Sequence, residues 1–338
     1  MEILVRGTNW IGDAVMTIPA ITKLRGLFPD ARLTLHTRAW AKGILHQSNL
    51  FDEIVTPDGI IDQIRSLRKK RYDLAVVFPN SFSSAFVVRM AGVQRSFGYA
   101  ANRRSFLFTD PVPMPEWKDT RHEVYYYLNL IAAVEQEFFG RITDVGELEP
   151  ILTVSNEARG LASGVLRGHG IAPDLKTVAL APGSTNSRAK RWTPESFALL
   201  NDRLQSELKC NVVLLGSRDD KEISRQVTSL SRKQPFDLTG ETDIESAAGV
   251  LSEIDLLISN DMGLAHLAPA VGTETLVIFG PTNQATTRPF SERALVISAN
   301  VECSPCMLRD CPIDHRCMTR ISVDEVFERA KASLNHGN

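Results

Sequence analysis

The chain has 338 residues, of which 43% are apolar and 23% charged, and its net charge is −2. These values are typical of a globular protein long enough for two domains of ordinary size. No run of 18 apolar residues occurs and residue 1 leads directly into a strand, so we expect a cytoplasmic protein without signal peptide or integral membrane segment. Residues 1–110 hold 15 Lys and Arg against 9 Asp and Glu. That excess is too weak for a nucleic-acid binder, but it suits an anionic ligand or a membrane surface.

The first half of the chain alternates short apolar runs with longer amphipathic stretches. The apolar runs predict strands over 3–5, 32–36, 73–78 and 95–99. The other stretches predict helices over 14–28, 39–47, 61–70, 85–91 and 121–139. This alternation indicates right-handed βαβ units and a parallel sheet. The segment 110–117 contains three prolines and is predicted to be a loop.

Polar loops follow two strands of this predicted sheet. The first loop contains Asn9, Trp10 and Asp13, and the second contains Asn80 and Ser81. The Asp13 carboxylate has two interpretations, because it either caps the following helix or acts as a base aimed into a cleft. The residues alone leave both open.

The second half repeats the pattern. Strands are predicted over 177–180, 211–216, 236–239, 255–259 and 275–279. Helices are predicted over 155–168, from 193 onward, and over 244–252, 260–270 and 322–333. We place the domain boundary between residues 151 and 173, which gives domains 1–172 and 173–338. The terminal helix, about 322–334, could pack back on the first domain.

Four successive loops of this second half end in Gly, Ser, Thr or acidic residues at the carboxyl ends of strands. In open parallel sheets that edge binds nucleotides. Neither G-x-G-x-x-G nor G-x-x-x-x-G-K-[ST] occurs in the sequence, which argues against a standard NAD site or a P-loop. The pattern therefore predicts a nucleotide-type cleft of another kind.

The loop 181–192 combines small residues, hydroxyls and three cations. Small residues let backbone approach a phosphate, the hydroxyls of Ser184 and Thr185 can donate to it, and Lys190 supplies positive charge. We therefore predict an anion site in this loop.

The turn after the strand 255–259 is the second candidate anion site. Asp261 opens a helix whose N-terminus, at Gly263, offers free N–H groups and partial positive charge to a diphosphate. The alternative is that Asp261 is only an N-cap and that His266 is a packed or surface histidine.

Four cysteines near the C-terminus have the spacing C-x2-C-x4-C-x5-C, with His315 among them. They are Cys303, Cys306, Cys311 and Cys317. The spacing allows a structural zinc but is not that of common ribbons or fingers, so reduced and packed cysteines are the favoured interpretation. The isolated Cys210 is predicted to be a core residue.

Five stretches, in order, carry a resemblance to a known family. They read RGTNWIGDAVMTIPA, FPNSFSSAFVVRMAGVQRSFGY, APGSTNSRAKRWTPESF, TGETDIESAAGVL and SNDMGLAHLAPAVGTETLVIFGPT. The chain resembles the ADP-heptose:lipopolysaccharide heptosyltransferases of glycosyltransferase family 9, and most closely the heptosyltransferase II branch. The resemblance extends from residue 3 to about residue 330.

The resemblance implies an α/β fold of two facing Rossmann-like domains, of the GT-B type, with a cleft between them. It implies inverting transfer of heptose from ADP-heptose to the first heptose of heptosyl-Kdo2-lipid A, without a cofactor or an obligatory metal. The implied partners are ADP-heptose and a lipid A-linked acceptor at the inner membrane surface, and no nucleic acid. Heptosyltransferase I-type transfer to Kdo2-lipid A is an alternative.

By the same resemblance, Asp13 is the general base, and Trp10 and Ile11 provide a partly apolar setting for it. Lys190 holds the donor diphosphate. The remaining implied donor contacts are Ser184, Thr185, Thr242, Asp261, Met262, Gly263 and His266. The implied acceptor contacts are Asn9, Trp10, Asn80 and Ser81. Met262 departs from the family pattern, where Ser or Thr is usual, so a hydroxyl contact is missing there although the backbone N–H remains.

Two competing classes rank below glycosyl transfer. A nucleotide-sugar epimerase needs acid and base groups on both faces of one sugar, whereas this chain places its base in the first domain and its donor site in the second. A redox or zinc protein would depend on the cysteine cluster, which we expect to lie outside every loop assigned to the cleft.

Overall fold

The computed structural model describes residues 1–46, 48–144, 146, 149–185 and 187–336. The chain divides into two compact units, Met1–Leu152 and Thr153–Asn338. Within the described residues, no helix is long and apolar enough to cross a membrane. Two residues of the predicted elements, Gln47 in a helix and Asn186 in the anion loop, lie outside the described set.

The first unit is built around one parallel sheet. Its strands are β1 (Glu2–Arg6), β2 (Arg32–His36), β3 (Glu53–Val55), β4 (Leu74–Val77), β5 (Arg95–Tyr99) and β6 (Asp110–Val112). Its helices are α1 (Ile11–Met16), α2 (Ile18–Leu27), α3 (Ala39–Leu45), α4 (Ile60–Leu67), α5 (Phe82–Ala91) and α6 (Glu123–Phe139). The strand order is β3-β2-β1-β4-β5-β6, and every pairing is parallel.

The second unit has a sheet of the same design. Its strands are β7 (Thr177–Ala181), β8 (Asn211–Leu214), β9 (Phe236–Asp237), β10 (Leu256–Asn260), β11 (Glu274–Phe279) and β12 (Ala294–Ser298). Its helices are α7 (Asn156–Gly168), α8 (Pro194–Glu207), α9 (Lys221–Leu230), α10 (Ile244–Ser252), α11 (Gly263–Ala270), α12 (Gln284–Thr287), α13 (Arg316–Thr319) and α14 (Val323–His336). The order is β12-β11-β10-β7-β8-β9, again parallel throughout.

Both sheets have the strand order of a Rossmann fold, in which the first and fourth strands of the unit are central neighbours. The chain leaves these two strands toward opposite edges of the sheet, so a crevice opens between the loops that follow them. Each crevice lies at the point where the strand order reverses, which we call the switch point of the sheet. The switch points lie after β1 and β4 in the first unit and after β7 and β10 in the second. The predicted parallel α/β architecture is confirmed.

The unit boundary differs from the predicted division at residue 172. Helix α7 belongs to the second unit because it packs closely against α10. A Cβ on Gly249 of α10 would lie 2.8 Å from the carbonyl oxygen of Ala158 in α7, so only glycine permits this approach. The contact fixes α7 to the second sheet.

The terminal helix also belongs to the second unit. Val326, Phe327 and Ala330 of α14 are buried in the hydrophobic core that covers the second sheet. The same core contains Cys210, as predicted, and Trp192, whose indole N–H donates to the carbonyl of Ile321 (3.0 Å). The predicted option that this helix also packs on the first domain stays a prediction.

Edge strands and one helix break depart from the sequence expectations. The proline-containing segment 110–117 was expected to be loop, but it supplies β6, which pairs only with β5, and an edge strand tolerates Pro111 because one of its sides needs no N–H donor. The helix expected over 14–28 is two helices, α1 and α2, and Pro19 lies in the first turn of the second. The edge strands β3 and β12 have no counterpart among the predicted strands.

Candidate active site

Asp13 lies in the first turn of α1, and it is not the helix cap. The N-cap residue is Trp10, whose side chain is 59% exposed. Asp13 is partly exposed, and its carboxylate accepts a hydrogen bond from the phenol of Tyr127 on α6. Burial, and next the negative charge of Asp13, raise the pKa of Tyr127 well above its ordinary value. Tyr127 therefore stays protonated and remains a donor to the carboxylate. The N-cap interpretation of Asp13 is wrong, because Trp10 occupies the cap position.

A buried cation lies below the loop that carries Asn9 and Trp10. Arg6 ends β1, and one of its terminal nitrogens donates to the carbonyls of Gly7 and His36, both at 3.0 Å. It forms no ion pair with any residue that the structure describes. Burial, and next the charge of Arg6, lower the pKa of His36 to about 3, so this histidine is neutral. The first switch point therefore has a positive charge beneath it. Asn9 Oδ1 is buried there without a hydrogen-bond partner in the described chain.

The loop after β4 is held from inside by Arg104. Its guanidinium is fully buried and donates to the carbonyls of Pro79, Ser81 and Tyr99 and to Asn80 Oδ1. Burial lowers the pKa of Arg104 to about 10, which still leaves it charged. Arg104 therefore has a structural role, because carbonyl oxygens of Pro79, Ser81 and Tyr99 and the side-chain oxygen of Asn80 accept from it.

Asn80 and Ser81 have local roles in the same loop. The Asn80 amide nitrogen donates to the hydroxyl of Tyr126 at 2.8 Å, and its oxygen accepts from Arg104 at 3.0 Å. Ser81 caps α5, and its hydroxyl accepts from the N–H of Ser84 at 3.3 Å. Both predicted acceptor residues thus lie at the first switch point, where they shape the loop, and their contact with an acceptor stays a prediction.

In the second unit, Lys190 and Asp261 meet. Lys190 Nζ lies 2.7 Å from Asp261 Oδ2, and the hydroxyl of Thr282 donates to the same oxygen at 2.6 Å. Asp261 is buried, whereas Lys190 is about a quarter exposed. The cap of α11 is Met262, so the N-cap interpretation of Asp261 is wrong. Sequence reasoning missed Thr282, whose loop follows β11.

Asn260 joins the two loops of this switch point. It is fully buried at the end of β10, and its oxygen accepts from the N–H of Trp192 at 2.9 Å. Its amide nitrogen donates to the carbonyls of Pro182 (2.8 Å) and Gly183 (3.2 Å). Asn260 and Asp261 therefore have different contacts: Asn260 binds the backbone of the loop, and Asp261 binds Lys190. The requirement that a buried amide be fully hydrogen-bonded was the signal that could have identified Asn260.

The other predicted donor residues lie at different distances from this centre. Ser184 is buried and Thr185 exposed in the loop after β7, and Gly263 begins α11, whose cap donates or accepts no side-chain hydrogen bond. His266 is buried one turn further along α11. Thr242 follows β9, which β8 separates from β7, so it lies further from the switch point than the rest.

The cysteine-bearing segment packs directly on the Lys190 loop. The carbonyl of Arg309 accepts from the N–H of Ala189 at 2.9 Å, and His315 Nε2 donates to the carbonyl of Ala189 at 2.6 Å. Arg188 and Asp310 form an ion pair at 2.7 Å. The expectation that this segment lies outside every site loop is therefore wrong. We call residues 303–317 the cysteine strap.

The four cysteines of the strap differ in exposure. Cys303 and Cys306 are exposed, Cys311 is half-buried, and Cys317 is buried. Burial, and next the other three thiols, raise the pKa of Cys317 to about 11, so it is a neutral thiol. In the described chain, no three His, Cys, Asp or Glu side chains are arranged to hold a metal ion.

Comparison with known families identifies this arrangement. The sequence profile of glycosyltransferase family 9 (heptosyltransferase) matches residues 60–316. The chain belongs to that family. It is therefore a glycosyltransferase, and the two switch points are candidates for its substrate sites.

Individual family 9 proteins are similar over most of their length. Lipopolysaccharide heptosyltransferase 2 of Escherichia coli K12 is 30% identical over 312 residues, covering 88% of each chain. The solved structure of the E. coli ADP-heptose lps heptosyltransferase II is 26% identical, with a TM-score of 0.85 over 100% of this chain and 99% of the other. A family 9 glycosyl transferase from Veillonella parvula, at 20% identity, has a TM-score of 0.87 over 99% and 97% of the two chains.

These findings confirm the family and the fold class. The family resemblance rested on five stretches, and the profile includes four of them. The two parallel six-stranded sheets agree with the GT-B type of α/β fold. The competing zinc or redox class has no support from the family match.

Proposed function

We propose that this family 9 enzyme transfers heptose from ADP-heptose to the first heptose of the lipopolysaccharide inner core, with inversion at the anomeric carbon. The observation that carries the proposal is the near full-length similarity to E. coli lipopolysaccharide heptosyltransferase 2. The geometry supports it, because each unit offers one half of the chemistry at its switch point: a carboxylate in the first and a cation beside a helix N-terminus in the second.

Asp13 is the proposed general base. A sugar hydroxyl is a poor nucleophile, so a carboxylate must take its proton as the oxygen attacks the anomeric carbon. Tyr127 donates to that carboxylate and stays protonated, which orients it without neutralising it. Asn9, Trp10, Asn80 and Ser81 are proposed to border the acceptor at the same switch point.

Lys190 and the N-terminus of α11 are proposed to hold the donor diphosphate. The bond from the anomeric carbon to the diphosphate oxygen breaks, and ADP leaves with the electron pair. Lys190 and the free N–H groups after Met262 stabilise that charge electrostatically. Ser184, Thr185, Gly263 and His266 are proposed to contact the phosphates and the heptose. The remaining oxygen of Asp261 is proposed to accept from a heptose hydroxyl, and Thr242 to contact the nucleotide.

No step of this scheme needs a metal or a cofactor, since the base and the charge that stabilises the leaving group are side chains and backbone of this chain. Because the proposed acceptor carries lipid A, we place the reaction at the inner membrane surface, with the enzyme bound peripherally.

The test measures ADP release from ADP-heptose with heptosyl-Kdo2-lipid A and, separately, with Kdo2-lipid A. We expect release only with the heptosylated acceptor. Release with Kdo2-lipid A alone would make the chain a type I enzyme. Absence of release with both acceptors, in protein that binds ADP, would refute heptose transfer and favour a nucleotide-sugar enzyme of another class.

A further inference from the structure

One surface of the first unit carries large apolar side chains in the open. Phe82 and Phe106 are 47% and 70% exposed, and Phe86 is half-buried. The ring of Phe82 lies 6.3 Å from that of Phe86 and 6.2 Å from that of Phe106, measured between centroids. Met90 follows on the same helix and is exposed. We call Phe82, Phe86, Met90 and Phe106 the aromatic patch.

Three of the four patch residues, Phe82, Met90 and Phe106, lie outside the core of the unit, and Phe86 packs at the edge of that core. On α5, Phe82, Phe86 and Met90 recur every fourth residue, so they share one face of the helix. Another face of α5 carries the buried residues Ala85 and Val88, which pack in the core of the unit. A surface helix normally presents polar residues opposite its buried face. Contiguous aromatic residues there indicate a surface that is covered by something else.

The sequence around the patch is strongly basic. Residues 60–106 contain nine Lys and Arg against two Asp and no Glu, although the whole chain has a net charge of −2. Five of these cations are exposed and form no ion pair with a described residue: Arg68, Lys69, Arg71, Arg89 and Arg103. Arg68 Nε donates to the carbonyl of Met90 at 2.8 Å. Arg89 lies on α5 beside the patch, and Arg103 lies three residues before Phe106. The surface therefore combines aromatic rings with uncompensated positive charge.

We propose that this surface docks on an anionic phospholipid bilayer. Aromatic rings insert at the boundary between headgroups and acyl chains, and Lys and Arg near the surface are attracted by anionic headgroups. The cores of protein–protein interfaces are depleted in Lys, and a protein partner would have to supply acidic groups for five separate cations. A bilayer supplies such charge at every position, so it is the occupant that the charges favour.

The patch is continuous with the proposed acceptor site. Phe82 directly follows Ser81, and Asn102 donates to the carbonyl of Asn80 at 2.9 Å. Arg104, two residues before Phe106, holds the same loop through the carbonyls of Pro79 and Ser81. Docking at the patch would thus bring the Asn80 loop to the membrane surface. The significance of this placement rests on the proposed function, in which the acceptor is lipid-linked.

The experiment is co-sedimentation of the full chain with vesicles of phosphatidylcholine alone and of phosphatidylcholine mixed with phosphatidylglycerol. We expect binding to the mixed vesicles that weakens with added salt. The double variant Arg89→Gln/Arg103→Gln should lower the partition coefficient about 25-fold, at about fivefold for each cation. The double variant Phe82→Ser/Phe106→Ser should lower it about tenfold or more.

Matched controls come from the second unit. Leu199→Ser/Leu230→Ser removes two side chains of comparable exposure, 52% and 49%, and Arg329→Gln/Lys331→Gln removes two exposed cations. Both controls should bind vesicles like the wild type. Thermal melting of every variant checks its fold, and the charge variants retain the aromatic residues, so they test the proposal even if the Phe variant is destabilised.

Three results would overturn the proposal. These are failure of the wild type to bind mixed vesicles, equal loss in patch and control variants, and a patch variant that changes the oligomeric state while its vesicle binding is unaltered. The last result would make the patch a contact between copies of the chain. The proposed function is tested separately by ADP release with detergent-solubilised acceptor, which the patch variants should retain.

Discussion

The two switch points have the same strand order but opposite chemistry. In the first unit, buried Arg6 and Arg104 hold the loops through carbonyl oxygens, and the proposed functional group is the partly exposed carboxylate of Asp13. In the second unit, the neutral amide of Asn260 holds the loops, and the proposed functional group is a cation, Lys190. The sheet therefore supplies only a place for a site. The residues at the strand ends decide whether it accepts protons or binds anions.

The groups that contact Asp13 and Lys190 also differ between the two units. Tyr127 donates a hydrogen bond to the carboxylate of Asp13, the proposed base, and orients it without protonating it. An anion site needs a cation that the ligand can reach and that neighbouring side chains hold in place. Lys190 is about a quarter exposed, and it is fixed by a buried carboxylate that Thr282 holds in turn.

Asp13→Asn should break the first site with the largest effect. The amide cannot accept the acceptor proton, so we expect kcat to fall by about 10² or more. ADP affinity, measured by titration calorimetry, should stay within error of the wild-type value because Lys190 and α11 are untouched. Wild-type turnover in this variant would show that Asp13 has no role as a base.

Lys190→Ala should break the second site. A charged hydrogen bond contributes about 1.5–3 kcal/mol, so ADP affinity should fall roughly ten- to hundredfold. Arg188→Ala is the matched control, because Arg188 lies on the same loop as Lys190 but is exposed and pairs with Asp310 of the cysteine strap. Equal losses in the two variants would mean that the loop attracts ADP by general charge. An unchanged affinity for Lys190→Ala would move the phosphate contact to Arg191 or the α11 N-terminus.

Buried His36, beneath the first switch point, should make the free energy of unfolding depend on pH. The pKa of His36 is lowered to about 3 when folded, against 6.5 for an ordinary histidine. The unfolded chain therefore binds the proton first, and the stability contributed by neutral His36 is complete above pH 6.5 and is lost as pH falls toward 3. Each pH unit inside that window costs about 1.4 kcal/mol.

Urea unfolding at pH 7 and pH 5 checks this expectation. The free energy of unfolding of the wild type should decrease by about 2 kcal/mol more than that of His36→Leu over this interval, because the variant lacks the titrating group. Equal decreases in the two proteins, or an imidazole NMR signal of His36 that titrates near pH 6.5, would contradict burial of the neutral form.

The sequence predicted the parts of the fold that depend on local pattern. Central strands such as β1, β7 and β10 are continuous apolar runs, so their positions agree within one or two residues. The edge strands β3 and β6 have only three residues each, one of them acidic, and neither was predicted. β12, with the sequence ALVIS, is as apolar as the central strands and was missed as well.

Contacts between distant residues could not be predicted. Asn260 meets Pro182 across 78 positions, and His315 meets Ala189 across 126. Tyr127 reaches Asp13 from a helix whose pattern showed only an apolar face. For Asp13 and Asp261, helix capping and a functional role have the same sequence signature. The observed caps, Trp10 and Met262, exclude the capping role, and the functional roles of Asp13 and Asp261 stay predictions.

The smallest effect is expected at the cysteine strap, which contacts the loop 181–192 that carries Lys190. No sequence motif predicted this contact. His315 Nε2 donates to the carbonyl of Ala189, next to Lys190, and His315 has a left-handed backbone with φ of 57°. His315→Asn suits that backbone but has a shorter side chain. Loss of one hydrogen bond of about 0.5–1.5 kcal/mol should weaken ADP binding roughly two- to tenfold, while kcat at saturating donor is retained.

Arg316→Gln is the control for this last variant, since Arg316 neighbours His315 but pairs with Asp314 and Glu302 instead of the loop 181–192. It should bind ADP like the wild type.

A cysteine strap held by a metal ion would behave differently, because chelation would then lower both the melting temperature and ADP affinity. We expect chelator to change neither, since the hydrogen bonds of Arg309 and His315 already attach the strap to the loop. About one equivalent of zinc in the purified protein, lost together with ADP binding, would instead make the metal the element that positions Lys190.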